Sequence, residues 1–456
     1  MDRAYHVQPL NERESMATAA PATAAPQATY ATPVGTEIEA FDLPVEGALP
    51  PELCGDYIRN GPNARPGAKA GHLFMGDGML HGIRLENGRA QAYRNRWVRT
   101  RQFVDHAPYI RMNGTLDLTV GSANTNIIAH GNRLLALVES SFPVEVTREL
   151  ATRGVYDFEG RLTGPFAAHP KRCPRTGELH AFGMQMRPGA LTYYRIDAGG
   201  TLLESRNIPV RGVTMMHDFA LTERYAIFLD LPVVFDMLLG LRGKFPYKWS
   251  DRYGARFGIL DRNDATVPVR WLDIAPCYIF HVLNAFESGE QITLDAVRYP
   301  ELWRSGNDAF TPTTLHRYTI DLATGRVGEA TLDERSTEFP RIDERLQGAR
   351  NRYGYAVAVG ATGKGTKELR KYDLANGTST DHEFGAGCVP GEAVFVPAAA
   401  DEDAGWLMCY VYDAARDRSD FVVLDASDIA KPPVAVVHLP ARVPLGFHGN
   451  WIPDHV

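Results

Sequence analysis

From about residue 36 onward the chain repeats one pattern: a short apolar run, a turn signal, then another apolar run. Asn87-Gly88, Ala198-Gly199-Gly200, Ser288-Gly289, Thr324-Gly325 and Asn376-Gly377 read as tight turns, because asparagine and glycine tolerate the positive φ that short hairpins demand. Between such signals lie strand-length segments rich in β-branched and aromatic residues: RLLALVE (133–139), YAIFLDL (225–231), QITLDAVRY (291–299), TLHRYTI (314–320), YGYAVAV (353–359), WLMCYVYD (406–413), DFVVLDA (420–426) and PVAVVHL (433–439). Several alternate with period two, as a sheet with one buried face requires. The pattern points to an all-β chain, either a propeller of four-stranded blades or an array of sandwiches, since no strict internal repeat is visible.

Four histidines interrupt or end apolar runs: His169 in AAHPK (167–171), His217 in MMHDFALT (215–222), His281 in YIFHVLNAFES (278–288) and His448 in PLGFHGNW (444–451). Gaps of 48, 64 and 167 residues fit no local metal motif. In a propeller, however, the innermost strands of different blades converge on one axis, and each can donate one histidine. Neutral imidazoles without thiolate or carboxylate suit Fe(II), Zn(II) or Cu(II), and the residues alone do not choose among them. A lone buried histidine is more commonly a hydrogen-bonded core residue than a ligand, so the other ten serve as a control. His6, His106, His130, His180, His316, His382, His438 and His455 lie in polar or turn-like contexts; His72 and His81 flank GDGML, where His81 is a candidate supporting residue.

These four segments, in this order, resemble the carotenoid cleavage oxygenase family over roughly 36–453. Further matches are GDYIRNGPN (55–63), HLFMGDGMLHGIRLENG (72–88), YRNRWVRT (93–100), ANTNIIAHGNRLLALVES (123–140), RFGILDR (256–262), TEFPRIDER (337–345), GEAVFVP (391–397) and LPARVPLGFHGNW (439–451). The resemblance implies a seven-bladed β-propeller with a helical and loop cap over an iron site. It also implies one Fe(II) per chain held by the four histidines, with O₂ as co-substrate. Glu139, Glu338 and Glu392 match family glutamates that accept hydrogen bonds from ligand imidazoles; such a carboxylate fixes ring angle and tautomer. Thr125 matches a threonine that crowds one open coordination position. The implied reaction is oxidative cleavage of a C=C bond in a carotenoid or apocarotenoid, giving aldehydes or ketones. The alternatives within the family are cleavage of stilbenoid or phenylpropenoid double bonds and retinoid-type isomerisation. Phenol-cleaving relatives often carry lysine before the glutamate of L-A-L-x-E; Val138 stands there and favours an apolar polyene. Ala64 and Cys173, where the family usually has proline and aspartate, are peripheral departures. Phe74, Trp97, Phe103, Phe280, Phe339, Phe447 and Trp451 are candidates for a substrate tunnel.

Residues 1–35, polar and then Ala/Thr/Pro-rich, read as a disordered tail dispensable for catalysis, with Met16 as an alternative start, and 36–456 as one propeller domain. No signal peptide and no long apolar span is read, and a net charge of −7 offers no nucleic-acid footprint. Five cysteines without C-x-x-C spacing argue against disulfides and structural zinc, so the expected setting is a reducing cytoplasm, with peripheral membrane contact as an addition. That contact rests on VVFDMLLGLRGKFPYKW (233–249), a dense apolar start followed by interleaved basic and aromatic residues. It reads either as a cap helix packed on the propeller or as an exposed patch that dips into lipid and draws out an apolar substrate. GATGKGTK (360–367) fails as a phosphate-binding loop, because Gly365 stands where serine or threonine should follow the lysine.

Overall fold

The computed structural model describes residues 29–454 apart from 69–71, 113–114, 187–189, 307–309 and 361–365. Most of GATGKGTK and the tail before Thr29 therefore lie outside the described residues.

The strands assort into seven blades around a ring. Blade 1 holds Gly55–Pro62, Gly78–Glu86 and Arg89–Trp97; blade 2 holds Asn126–His130, Arg133–Leu137, Val144–Val146 and Thr152–Val155. Blade 3 runs from Lys171–Arg172 through Leu179–Gln185 and Ala190–Ile196 to Leu202–Pro209. Blade 4 runs from Phe219–Leu221 through Tyr225–Asp230 and Ala255–Asp261 to Arg270–Ile274. Blade 5 comprises Tyr278–Ser288, Gln291–Tyr299, Thr314–Asp321 and Val327–Asp333; blade 6 comprises Thr337–Arg341, Tyr353–Val359, Thr366–Asp373 and Thr378–Glu383. In blade 7, Cys388–Pro390 and Val394–Pro397 both pair with Gly405–Asp413, followed by Arg418–Asp425 and Ala435–His438.

The ring is latched twice. The C-terminal strand Gly449–Pro453 pairs with Gly55–Pro62 on the inner side of blade 1, and the N-terminal Val45–Gly47 extends blade 7 by pairing with Ala435–His438. Inner strands are buried on both faces and read as continuous apolar runs, as in YIFHVLNAF; outer strands such as Leu202–Pro209 alternate buried and exposed. At the blade 1 hairpin, Asn87 and Gly88 both adopt positive φ (49° and 72°), the type I′ geometry that matches strand twist.

Seven apolar clusters fill the seven gaps between neighbouring blades, so the core is a ring of wedges rather than one interior. Cys173 packs in the wedge between blades 3 and 4.

The segment 233–249 is not one helix. It is an antiparallel pair, Val233–Phe235 with Tyr247–Trp249, joined through a five-residue helix, Met237–Leu241. Asp236 caps that helix by accepting from Leu238 and Leu239 N–H, while Gly243 and Pro246 return the chain to extended backbone. Apolar density alone does not separate a short buried strand from a helix, which is why the sequence reads as helical here. No helix among the described residues is long and apolar enough to cross a membrane.

Candidate metal centre

The candidate ligands sit at the same end of the innermost strands. His169 and His217 precede Lys171–Arg172 and Phe219–Leu221 by two residues, His281 lies within Tyr278–Ser288, and His448 immediately precedes Gly449–Pro453. Thr125 immediately precedes Asn126–His130, Glu338 lies in Thr337–Arg341, and Glu392 falls between the two short inner strands of blade 7. Each blade thus delivers one residue to the axis, and Glu139 joins them from beyond the second strand of blade 2. Local irregularities aim two of these side chains. The ladder slips around His281, and again between Glu338 and Arg341, where Phe339 takes a φ of 54°. A bulge re-aims a side chain that regular pleating would turn away.

All four histidines are buried, and one nitrogen from each lies within 4.8 Å of the others. Successive Nε2 atoms are 3.0 Å (His169 to His217), 3.3 Å (His217 to His281) and 3.2 Å (His281 to His448) apart. Bonds of about 2.1 Å to a common cation place neighbouring nitrogens about 3.0 to 3.4 Å apart, so the spacing fits a metal.

The opposite nitrogens support the same conclusion. Nδ1 of His217 contacts Glu139, Nδ1 of His281 lies 2.5 Å from Glu338 Oε2, and Nδ1 of His448 lies 3.0 Å from Glu392 Oε1. Where Nδ1–H is donated to a carboxylate, a neutral ring turns an Nε2 lone pair towards the other three, the arrangement a cation would stabilise. Burial and the three facing rings hold His169 well below the usual histidine range, so it too is a neutral donor. Charge balance agrees. A dication held there, together with the Arg341 guanidinium 3.5 Å from Glu392 Oε1, would balance the charge of three carboxylates. Burial opposes ionisation of Glu392, but Arg341 and His448 outweigh it and bring its carboxyl down to about 2. Glu139 and Glu338 also sit below the usual range, burial again being overcome by His217 and His281 respectively.

Three supporting residues escape a reading of the sequence. The Tyr299 hydroxyl donates to Glu338 Oε1 at 2.9 Å, while Phe339 N–H donates to the other oxygen at 2.6 Å. Asp218, 1% exposed, accepts from Lys171 Nζ at 2.8 Å and from Val282 N–H at 2.9 Å, tying together the segments that carry His169, His217 and His281. Arg341 is the third. Asp218 follows the candidate ligand His217 directly and Arg341 lies in TEFPRIDER, so position hinted at both; nothing marks Tyr299 within its strand.

The control histidines have other partners. His81 Nδ1 meets the Tyr93 hydroxyl at 2.8 Å and does not join the centre, His180 meets the Tyr193 hydroxyl, and His130 and His382 bond the carbonyls of Asp197 and Ile429.

A cavity of about 670 Å³ reaches His217, His281 and His448, within the range of small-molecule sites. Thr125 and Val138 line it, as do Phe74, Phe280, Phe339 and Phe447; Trp97, Phe103 and Trp451 do not. The Thr125 hydroxyl donates to Asn124 Oδ1 at 3.0 Å. Among the described lining residues the charged ones are Arg59, Glu139, Glu338 and Glu392: Arg59 donates to the Pro444 carbonyl through one nitrogen while its buried Nε has no hydrogen-bond partner, and the carboxylates face histidines. The Tyr109, Tyr299, Tyr410 and Tyr412 hydroxyls likewise donate within the protein. The cavity therefore offers mainly aromatic and aliphatic surface, and its carboxylates are committed to the histidines.

Comparison with known proteins gives a concordant result. The family model for retinal pigment epithelial membrane protein matches residues 31–453. The chain is 39% identical to a carotenoid cleavage oxygenase of Mycobacterium tuberculosis, over 93% of this chain and 96% of the relative. It is 34% identical to a carotenoid 9,10(9',10')-cleavage dioxygenase of Arabidopsis thaliana, over 91% and 87%. Among solved structures, cobalt-substituted Synechocystis apocarotenoid oxygenase aligns with a TM-score of 0.84 at 30% identity, covering 93% of this chain and 98% of that one. Pseudomonas brassicacearum lignostilbene dioxygenase aligns with a TM-score of 0.85 at 29% identity, covering 96% and 100%.

Proposed function

This chain belongs to the carotenoid cleavage oxygenase family and is a dioxygenase, and from that premise we propose that it cleaves a C=C bond of a carotenoid or apocarotenoid with ferrous iron and O₂. One alkene and one O₂ become two carbonyl fragments, with no further reductant needed. His169, His217, His281 and His448 would hold the iron, and Glu139, Glu338 and Glu392 would orient three of those rings. When bound, the iron supplies the binding and activation of O₂.

The protein's own part is to position the polyene and keep water out. Phe280 and Phe339 lie against the ligand histidines, with ring centroids 5.3 Å from His217 and 5.4 Å from His281 respectively, and exclude water there. Thr125 narrows the cavity beside His448, whose N–H donates to the Thr125 carbonyl at 3.2 Å. Positioning one double bond among many is an entropic contribution to rate.

The observation that carries the polyene reading is the largely apolar cavity wall, whose carboxylates and most of whose phenol hydroxyls are already engaged. Val138 supplies no charged partner for the phenol of a hydroxystilbene beside Glu139. The test is metal analysis combined with anaerobic Fe(II) loading, exposure to ¹⁸O₂, and a panel of β-carotene, an apocarotenal and a hydroxystilbene. About one iron per chain and two labelled carbonyl fragments from a polyene is the expected result. Cleavage of the stilbene alone would transfer the function to that branch, isomerised product without label would indicate retinoid-type chemistry, and absence of iron would sink the proposal.

We further propose that the cap meets lipid. Met237, Leu238 and Leu241 are 61–77% exposed, Ile110 is 61% exposed, and Met237, Leu241 and Ile110 also line the cavity, so the apolar surface is continuous with the substrate's route. Leu238→Ser with Met237→Ser should lower sedimentation with phospholipid vesicles severalfold. Unchanged sedimentation would remove the cap from this role.

A further inference from the structure

We propose that the strap of residues 29–36 forms an end wall of the substrate cavity, and that Tyr30 determines how long a substrate arm fits beyond the metal. The inference rests on the proposed function and concerns the part of the chain that its composition marks as a dispensable tail.

Tyr30, half-buried, lines the same cavity as His217, His281 and His448. Its backbone is held, not draped. The Tyr30 carbonyl accepts the N–H of Leu445 at 2.5 Å, three residues before His448, and Thr29 and Thr32 close a local turn. Four residues on, the side chain of Asn63 accepts from Val34 N–H and donates to Val34 C=O, both at 2.9 Å. Asn63 is 1% exposed, so a buried amide is committed to clamping this strap in the way a neighbouring strand would. The Tyr30 ring packs against Tyr412, with centroids 6.5 Å apart and planes tilted by 46°.

The topology places this wall across the metal from the cap. Tyr30 shares its part of the cavity with Val389, Pro390, Tyr412, Pro444 and Leu445, which belong to blade 7 and to the connection leading into the last strand of blade 1. Phe235, Met237, Leu241 and Phe245 line the cavity from the insertion within blade 4. In a ring of seven, blade 4 lies opposite the junction of blades 7 and 1, and the histidines stand on the axis between them. A rigid polyene crossing that axis has one end towards the cap and the other against the strap. The distance from the metal to Tyr30 then sets which double bond stops at the metal and which chain lengths fit. An aromatic ring at the end of a rigid slot discriminates by clash, and a clash is graded by the size of the residue.

The experiment pairs substitutions of opposite size. Wild type, Tyr30→Ala and Tyr30→Trp are assayed on apocarotenals of graded length, with kcat/KM and the identity of the cleaved bond read for each, and iron content measured alongside. Tyr30→Ala should shift the preference towards longer substrates by about tenfold or more, Tyr30→Trp should shift it towards shorter ones, and iron content should stay at the wild-type value. Deleting residues 1–35 should reproduce the alanine profile, whereas deleting 1–28 should keep the wild-type one. An unchanged length profile in both substitutions overturns the inference, as does loss of iron in Tyr30→Ala, which would show that Tyr30 acts through Leu445 on His448. A wild type that cleaves no member of the series overturns the proposed function and this inference together, so the two failures are distinct.

Discussion

At the residue scale the candidate centre is built from histidine–glutamate pairs, in which the carboxylate fixes the ring that faces the axis. Glu338 shows the arrangement: one oxygen meets His281 Nδ1 and Phe339 N–H, and the other takes the Tyr299 hydroxyl. Replacing Glu338 with glutamine keeps the shape but removes the charge that favours the His281 tautomer. Iron retention or turnover should fall by about ten- to a hundredfold, as for other residues that support a ligand; equal iron content and equal turnover would reduce Glu338 to a bystander. His169, the candidate ligand for which no glutamate partner is found among the described residues, is instead located through Lys171 and Asp218. That support was not readable from the sequence, because Asp218 reaches Lys171 and Val282 only once three blades are assembled.

At the scale of the element, stability resides in the wedges between blades. Leu294, fully buried in the cluster shared by blades 4 and 5, contributes to one such wedge. Leu294→Ala should lower the free energy of unfolding by about 2–5 kcal/mol, the range for a cavity left in a packed core. Chemical denaturation would measure it, and a loss below about 1 kcal/mol would mean that the blades slide to refill the space. Strand positions were legible at this scale, and QITLDAVRY (291–299) and YGYAVAV (353–359) are strands with those same bounds. The segment 233–249 was not, because its apolar start fits a helix and a strand equally well. Nor was the strap at 29–35 legible, since Ala, Thr and Pro composition describes a free chain and cannot register the clamp that Asn63 supplies from 29 residues away.

For the whole molecule, ring closure depends on the two terminal latches. His438 in blade 7 lies 2.9 Å from Asp420 and 3.1 Å from Glu46, which belongs to the N-terminal latch strand. The Asp420 hydrogen bond raises the His438 pKa, burial opposes it, and Glu46 adds to the rise. A raised folded-state pKa means that protonation stabilises the fold. The contribution is complete below the unfolded value near 6.5 and is lost as pH climbs through the elevated one. His438→Gln should therefore lower the melting temperature at pH 6 and converge with wild type at alkaline pH. The difference should stay within about 1 kcal/mol, because the pair is partly exposed. A gap that widens with pH would refute this sign.

The amino-acid order by itself determined that the chain is predominantly β, that four histidines and three glutamates resemble one family pattern, and where most strands run, because period, turn chemistry and motif are local properties. Only the tertiary structure decided which residues serve those ligands and bound the cavity. Tyr299, Asp218, Arg341 and Tyr30 act through contacts between segments that lie far apart in the chain. Periodicity reports that a side chain is buried, but the closing of seven blades onto one axis decides what it is buried against.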